Sequence, residues 1–473
     1  MEQIYQTIEN GNKWLNDIVW GIPALVLLMG AGIILTVGLK GFQFRKFGYA
    51  MKHTVGKMFK KQEAKAGEVT PLQALTTALA ATVGTGNIAG ITFAVTLGGP
   101  GSIFWLWVSA LLGMATKYSE VMLSVKYRER NVFGDWVGGP MYYIKNGLGK
   151  NWKWLGAIFC LFGGLASFGI GNAVQVGEIT SAVNTAIQSF APSAAEHQTV
   201  INIVLAVILM IIIGVVLVGG IKRIGEVTEF MVPIMSVIYI VACLLVVGTN
   251  ITKVPHVFAM IFQGAFTPEG VTGGAAAITI KTCIEWGVKR GVFSNEAGLG
   301  SAPIAHAASS ETNPVKQGLY GIFEVFMDTI VICTLSGLTL LLALDADTIN
   351  YGVKGTTALN AQALGTVLGG KTGALIIAIG LSLFALSTVL SWGLYGTRCW
   401  EFLLGEKAVK PYQILFTLVV IISATMDLKL AWSIADTLNG LMAIPNLIAL
   451  IALCPVVFKM TREYFDNERR LRK

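Results

Sequence analysis

Apolar runs of about twenty residues recur along the whole of this chain, and that recurrence limits its fold more than any other feature. A run of that length crosses roughly 30 Å of hydrocarbon as a helix. Inside a bilayer only helices and closed barrels satisfy every backbone group. Composition agrees. Of 473 residues, 54% are hydrophobic and 13% charged, where a soluble domain has about 25% charged. Mean hydropathy is +0.66. The pattern predicts an all-α polytopic membrane protein with about eleven spans, near 22–40, 71–97, 102–125, 153–186, 200–219, 226–248, 271–308, 317–345, 372–397, 411–426 and 430–457. Glu2 and Glu9 give the N-terminus no basic leader, and the first apolar run starts near Ile22, so no signal peptide is expected.

Basic residues set the expected orientation. The segments that follow the first, third, fifth, seventh and ninth spans, together with the tail, hold 26 of the 35 Lys and Arg residues. The opposite side holds five: Lys13, Lys253, Lys354, Lys371 and Lys429. This bias puts the C-terminus in the cytoplasm and the N-terminus outside, in a plasma (inner) membrane. The net charge of +8 needs no nucleic-acid partner. A juxtamembrane run such as Lys40–Lys65 meets anionic lipid. The six cysteines and four histidines are scattered, without metal or disulfide spacing. No nucleophile–base pair stands out, and Ser301 in Gly-Leu-Gly-Ser-Ala-Pro lacks the strand context of a nucleophile elbow. An enzyme is not expected.

The second span carries its helix breakers in its middle, at G84-T-G-N-I-A-G90. The seventh carries a related string, S294-N-E-A-G298, beside G86-N-I-A-G90. Each stands at the head of five spans. Residues 71–248 and 252–458 therefore read as two five-helix halves of opposite orientation. Before them come residues 1–70, with an extra helix and a basic segment, and after them a basic tail at 459–473. Inverted halves that each open with an interrupted helix mark secondary transporters with a midplane site. Small residues at these positions also allow close helix packing.

Four strings, L79-A-A-T-V-G-T-G-N-I-A-G90, G98-G-P-G-S-I-F-W-L-W-V-S-A-L-L-G-M-A-T-K-Y-S-E120, G138-G-P-M-Y-Y-I144 and G291-V-F-S-N-E-A-G-L-G-S-A-P-I-A-H-A307, occur in this order. Together they resemble the sodium:alanine (glycine) symporter family. The resemblance implies a LeuT-type fold with one additional helix, and cotransport of alanine or glycine with Na⁺. It implies that Thr85 and Gly86 meet the amino-acid carboxylate, that the carbonyls of Ala80 and Val83 face a sodium ion, and that Ser387 and Thr388 offer it hydroxyls. Trp392 and Phe293 would wall a pocket for a small side chain, with Ala297 nearby. Asn172 and Gln175, at i and i+3, share one helix face, and Gln175 is expected in the pocket.

Charged groups inside spans are functional suspects. Glu324 and Asp328 share a face at i and i+4, as do Lys281, Glu285 and Lys289. Ion pairing between helices or a water-filled vestibule accounts for them. The rival reading is a proton relay, which would make the chain a proton-coupled amino-acid symporter.

Overall fold

The computed structural model describes residues 2–58, 63–268 and 278–471. The opening of the expected seventh span, residues 271–277, lies outside the described residues. The principal helices are numbered in chain order: α1 Glu2–Val19, α2 Ile22–Gly38, α3 Pro71–Thr82, α4 Gly86–Gly98, α5 Ser102–Lys126, α6 Lys150–Phe190, α7 Pro192–Val218, α8 Gly220–Thr249, α9 Val254–Phe266, α10 Ile280–Asn295, α11 Ala302–His306, α12 Pro314–Ala343, α13 Thr357–Leu368, α14 Gly370–Leu404, α15 Val409–Ser423 and α16 Leu428–Leu471. The one sheet among the described residues is a short antiparallel ribbon, with Glu129 opposite Val137 and Arg130 opposite Trp136.

Six of these helices (α6, α7, α8, α12, α14 and α16) are long and apolar enough to cross a membrane. Two bent pairs, the end of α1 with α2 and α3 with α4, raise the number to eight. The other three expected spans fall on α5, which buries Lys117 and Glu120, on α10 with α11, and on the 15-residue α15. Length and composition alone do not carry those three across.

Burial sorts the helices by position. The apolar windows of α7 and α8 are only 22% and 33% buried, against 67% for α12 and α14. Exposed Ile203, Val207, Ile211 and Val215 on α7, with Val237 and Leu244 on α8, face outward as lipid-facing side chains must. The helices that position the site lie inside.

Helix α3 starts where its sequence directs. Thr70 and Gln73 exchange side-chain and backbone hydrogen bonds at 3.1 Å each, and Pro71 occupies the first turn, where its missing N–H is not needed. The helix stops at Val83, whose ψ of 84° leaves the helical region. The axis then bends by 47°, and α4 opens with a wide π turn over Gly86–Gly90. In α10, a second box between Thr279 and Thr282 sets the start. The helix ends at Glu296, which takes the left-handed conformation at φ +55°, and Gly298 and Gly300 follow at φ +94° and +80° before α11. Both related strings thus fall at breaks in helices.

Helix α1 was not expected. It is amphipathic, so its apolar residues mark a face rather than a run. It lies along α16, with Asn12 Nδ2 donating to Ser433 Oγ at 2.7 Å and Asn16 Nδ2 to Thr437 Oγ1 at 3.0 Å. Helices α9 and α13 fill stretches read as connections.

Gly300 tests the second break. A Cβ there would sit 2.4 Å from Pro140 Cγ and 2.9 Å from Asn446 Cγ. Left-handed backbone alone costs a non-glycine residue about 1–2 kcal/mol. Gly300→Ala is expected to lower the thermal midpoint of the detergent-solubilised protein. A midpoint equal to the parent's would mean that this turn can relax.

Candidate functional site

The first break lies against α14. Thr388 Oγ1 donates to Ala80 O at 2.9 Å and Ser387 Oγ reaches the same carbonyl at 3.3 Å. One turn on, Ser391 Oγ donates to Thr77 O at 2.8 Å. Ser387 and Thr388 also bond the Phe384 carbonyl of their own helix, at 2.8 and 3.0 Å, as hydroxyls in membrane helices do. The contact leaves no room: a Cβ on Gly84 would lie 2.4 Å from Thr388 Oγ1. Val83 ends the helix by donating its N–H to Leu79 O at 2.7 Å, and its ψ turns its carbonyl out of the helical direction. These are neutral oxygens from two helices, all buried. Hard cations take such ligands, and a single positive charge does not demand a carboxylate. Among the described residues, no group of three or more His, Cys, Asp or Glu side chains could hold a metal. The donor set therefore suits an alkali cation better than a transition metal.

Beyond Gly84 the chain offers its own polar groups. The Thr85 N–H points at Gln175 Oε1 at a long 3.5 Å, while Gln175 Nε2 donates to Ile170 O at 2.9 Å. The Thr85 hydroxyl is fully buried and has no hydrogen-bond partner among the described residues. Such an orphan is costly and marks a place where a polar ligand fits. Gly86 lets Phe293 and Ser294 approach, each with an atom 3.3 Å from where a Cβ would be. Gln175 follows a wide turn at Gly169–Ala173, and such turns gather at functional positions.

Aromatic rings close this region. Phe293 packs on Trp432 at 4.9 Å between centroids with the rings tilted by 32°, and Phe93 meets Trp432 edge-on at 5.1 Å. Trp432 is held by its Nε1 donating to Glu178 Oε1 at 2.9 Å. Trp392 packs its Cβ against Gly171, and its Nε1 donates to Glu296 Oε1 at 2.8 Å. The structure thus brings Ala80, Ser387, Thr388, Thr85, Gly86, Gln175 and Phe293 to one break, with Trp392 one turn along α14 from Thr388. Ala297 points elsewhere, its Cβ 3.1 Å from where a Cβ on Gly113 of α5 would stand. Asn172 also faces away, with Nδ2 on Phe416 O and Oδ1 accepting from Ser423, both at 2.8 Å. It bridges α6 to α15.

The suspected charges sit behind the breaks. Asp328 Oδ1 accepts from Asn87 Nδ2 at 2.6 Å and Ser294 Oγ at 3.0 Å, so one carboxylate ties the two related strings together. Thr329 Oγ1 donates to its other oxygen at 2.7 Å. Glu324 lies between Lys117 Nζ and His306 Nε2, each at 3.2 Å. Lys281 and Glu285 pair at 3.4 Å near the surface, and Lys289 pairs with Asp436 at 2.9 Å. Outside the spans, burial pushes the Lys354 ammonium down to about 8, with Arg290 adding to the shift. Trp432, Glu178, Glu120 and Glu296 were not named in advance. The rule that flags charges inside spans points to all three carboxylates.

Over residues 5–473 the sequence matches the model of the sodium:alanine symporter family. The chain belongs to that family. The sodium/alanine symporter AgcS of Methanococcus maripaludis is 46% identical over 464 residues, covering 96% of each chain. The "Probable sodium/glutamine symporter GlnT" of Bacillus subtilis is 36% identical over 459 residues, covering 96% of this chain and 90% of its own. Among solved structures, MhsT in complex with L-phenylalanine superposes with a TM-score of 0.57 over 84% of this chain and 99% of its own, at 12% identity. That likeness carries the fold, which is LeuT-type. Membership makes the chain a multi-pass secondary transporter of amino acids, not an enzyme.

Breaking a buried ion pair from one side leaves the other charge stranded, at about 3–5 kcal/mol. Glu324→Gln is expected to destabilise this family member by that order, and Lys117→Met in the same chain to recover most of the loss. Thermal unfolding in detergent, run as a double-mutant cycle, reads the coupling. Additive effects would show that the pair contributes nothing.

Proposed function

We propose that this family member couples the downhill entry of Na⁺ to uptake of a small neutral amino acid, alanine or glycine, by alternating access. The single observation that carries the reading is the geometry at the first break. Neutral oxygens of two helices meet at Ala80, Ser387 and Thr388, one step from an unpartnered buried hydroxyl at Thr85. In this reading Na⁺ takes the carbonyls of Ala80 and Val83 and the hydroxyls of Ser387 and Thr388. The amino-acid carboxylate takes the N–H groups and hydroxyl of Thr85–Gly86, and Gln175 turns its amide to the substrate. Phe293 and Trp392 bound the space for the side chain. We assign Ala297 to packing on α5. The two inverted five-helix halves, 71–248 and 252–458, build the site between them, and one helix bundle rocks against the other about it, with the N-terminus outside and the C-terminus in the cytoplasm.

Coupling requires that ion and substrate favour the same conformation, and linkage makes that mutual. The driving force suffices. A tenfold Na⁺ gradient contributes about 1.4 kcal/mol and ~100 mV about 2.3 kcal/mol per charge. Together they allow on the order of several-hundredfold accumulation per ion. The named relatives support sodium in both cases and differ in substrate, alanine for AgcS and glutamine for GlnT. The closeness of Phe293 to Gly86 favours the smaller one.

Proton coupling is the rival. Asp328 would have to serve it from behind the break, where three donors, Asn87, Ser294 and Thr329, make four hydrogen bonds within 3.3 Å to its carboxylate and backbone carbonyl.

Radiolabelled alanine uptake into proteoliposomes separates the two. Accumulation is expected with an inward Na⁺ gradient and not with K⁺ in its place, and Thr388→Ala should lower the apparent Na⁺ affinity by about tenfold or more. Accumulation that follows a proton gradient in Na⁺-free buffer would sink the sodium assignment. Thr85→Val should raise the alanine KM at saturating Na⁺ by a similar factor, since it removes a hydrogen bond to a charged group.

A further inference from the structure

The apolar runs of α2 and α16 end side by side. No charged residue falls between Ile22 and Leu39, or between Thr437 and Phe458, and each run is long enough to cross the hydrocarbon. Phe458 packs so close to Gly38 that a side chain there would run into its ring. The last apolar turns of the two helices therefore share one level, and the residues that follow stand among the lipid headgroups.

A cleft of about 290 Å³ opens at that level. Five cations line it: Lys40, Arg45 and Lys46 from the segment after α2, and Arg462 and Arg469 from α16. Asp466 is the one carboxylate among the described lining residues. It meets Arg469 at 3.9 Å, with both side chains more than half exposed. The other four cations form no salt bridge among the described residues, and the neighbouring pair of Lys459 and Glu463 lies outside the cleft.

The cleft has a fixed floor. Phe42 is 5% exposed and sits between Tyr118 and Phe465, at 4.9 and 5.4 Å between centroids. Lys46 Nζ lies 5.0 Å from the centroid of Phe465, and Arg45 Nη1 donates to Lys40 O at 3.3 Å. Lys40 takes the left-handed conformation at φ +56°, and Gly41 follows at +64°. Such strain in a residue other than glycine gathers at functional positions. Here the turn brings Lys40 and Arg45 to one cleft. Phe44, in the same segment, is exposed and apolar.

We propose that this cleft binds the headgroup of an anionic phospholipid such as phosphatidylglycerol, its phosphate on Arg45, Lys46 and Arg462 and its acyl chains beside Phe44. Guanidinium groups without a carboxylate suit a phosphate. Five cations against one acid repel the ammonium of a zwitterionic lipid. Lipid phosphates stand at this level already, and basic pockets between helices at the membrane surface select anionic headgroups. A soluble phosphate has the charge but no chains to cover Phe44. The basic run after α2 would by itself attract such lipids diffusely. The fold adds two cations from the far end of the chain and an aromatic floor, which turns attraction into a site.

Saturable binding of tritiated phosphatidylglycerol to the full-length protein, immobilised in detergent, tests this. Unlabelled phosphatidylglycerol is expected to displace it, with phosphatidylethanolamine of the same chains needing at least about tenfold more. Inorganic phosphate and an oligoglutamate peptide should not displace it at the concentration at which phosphatidylglycerol does. Arg45→Gln with Arg462→Gln should weaken binding about tenfold or more, at about fivefold per basic residue near the surface. Lys52→Gln with Lys459→Gln removes the same charge from exposed positions outside the cleft, and should leave the affinity within about twofold of the parent's. The proposal is overturned if phosphatidylglycerol does not bind saturably or if the cleft variant binds it as the parent does. It is equally overturned if any of the three competitors displaces it as well as phosphatidylglycerol, or if the two double variants lose affinity alike.

Discussion

A helix broken inside a bilayer frees N–H and C=O groups that only protein or ligand can satisfy. Everything distinctive in this molecule follows from how that demand is met at two breaks. At the second break the partners are carboxyl groups. Glu120 Oε1 accepts from Gly298 N at 3.1 Å, Asn446 Nδ2 bonds both Glu120 at 2.6 Å and Gly298 O at 2.8 Å, and Glu296 takes Ser301 at 2.6 Å and Trp392 at 2.8 Å. At the first break the partners are neutral: Asn87 Oδ1 on Gly84 N at 2.8 Å, Gln175 at a stretched 3.5 Å, and two hydroxyls on Ala80 O. Hydroxyls can turn and exchange, and one hydroxyl is left over. The second break is built to hold its shape and the first to be completed by something else.

This difference explains why glycine recurs in both strings for unlike reasons. Gly84 is small because α14 comes so close that the Thr388 hydroxyl occupies the place of a side chain. Gly298 is glycine because its φ of +94° excludes other residues. One permits an approach between helices and the other a turn within a chain. Asp328 joins the two halves of the arrangement, since its carboxylate receives Asn87 from the first break and Ser294 from the second. Movement of either break relative to the other must strain or remake those two bonds.

Much of this was legible beforehand. The interrupted apolar runs located both breaks, because glycine inside a membrane-length segment is a local signal. Ser387 and Thr388 were legible through the resemblance of the strings before and after them, not through their own chemistry, which is common in membrane helices. The partners that hold the breaks were harder to read. Glu120 and Gly298 are 178 residues apart, and Glu178 and Trp432 are 254 apart, so only the fold could pair them. Asn172 and Gln175 share a helix face, yet one is consumed by α15 and the other turns to the break. A three-residue spacing fixes a face but not what packs on it. Helix α1 leaves no such signal for a related reason, since an amphipathic helix lying along α16 needs no apolar run.

The first break also bears on how an ion and a substrate act as one. On the proposed assignment their sites are two ends of a single short segment. Residues 81–84 separate the Ala80 carbonyl from the Thr85 hydroxyl, and Gly84 is pinned by Asn87 on one side and by Thr388 on the other. An ion that draws Thr388 and Ala80 together fixes the position of Gly84, and through it the direction of the Thr85 N–H. A carboxylate bound at Thr85 fixes the same segment from the other end. Each ligand then spares the other the ordering of that segment, and such a saving is by linkage equal in both directions. No longer path is needed, because the coupling element is the break itself.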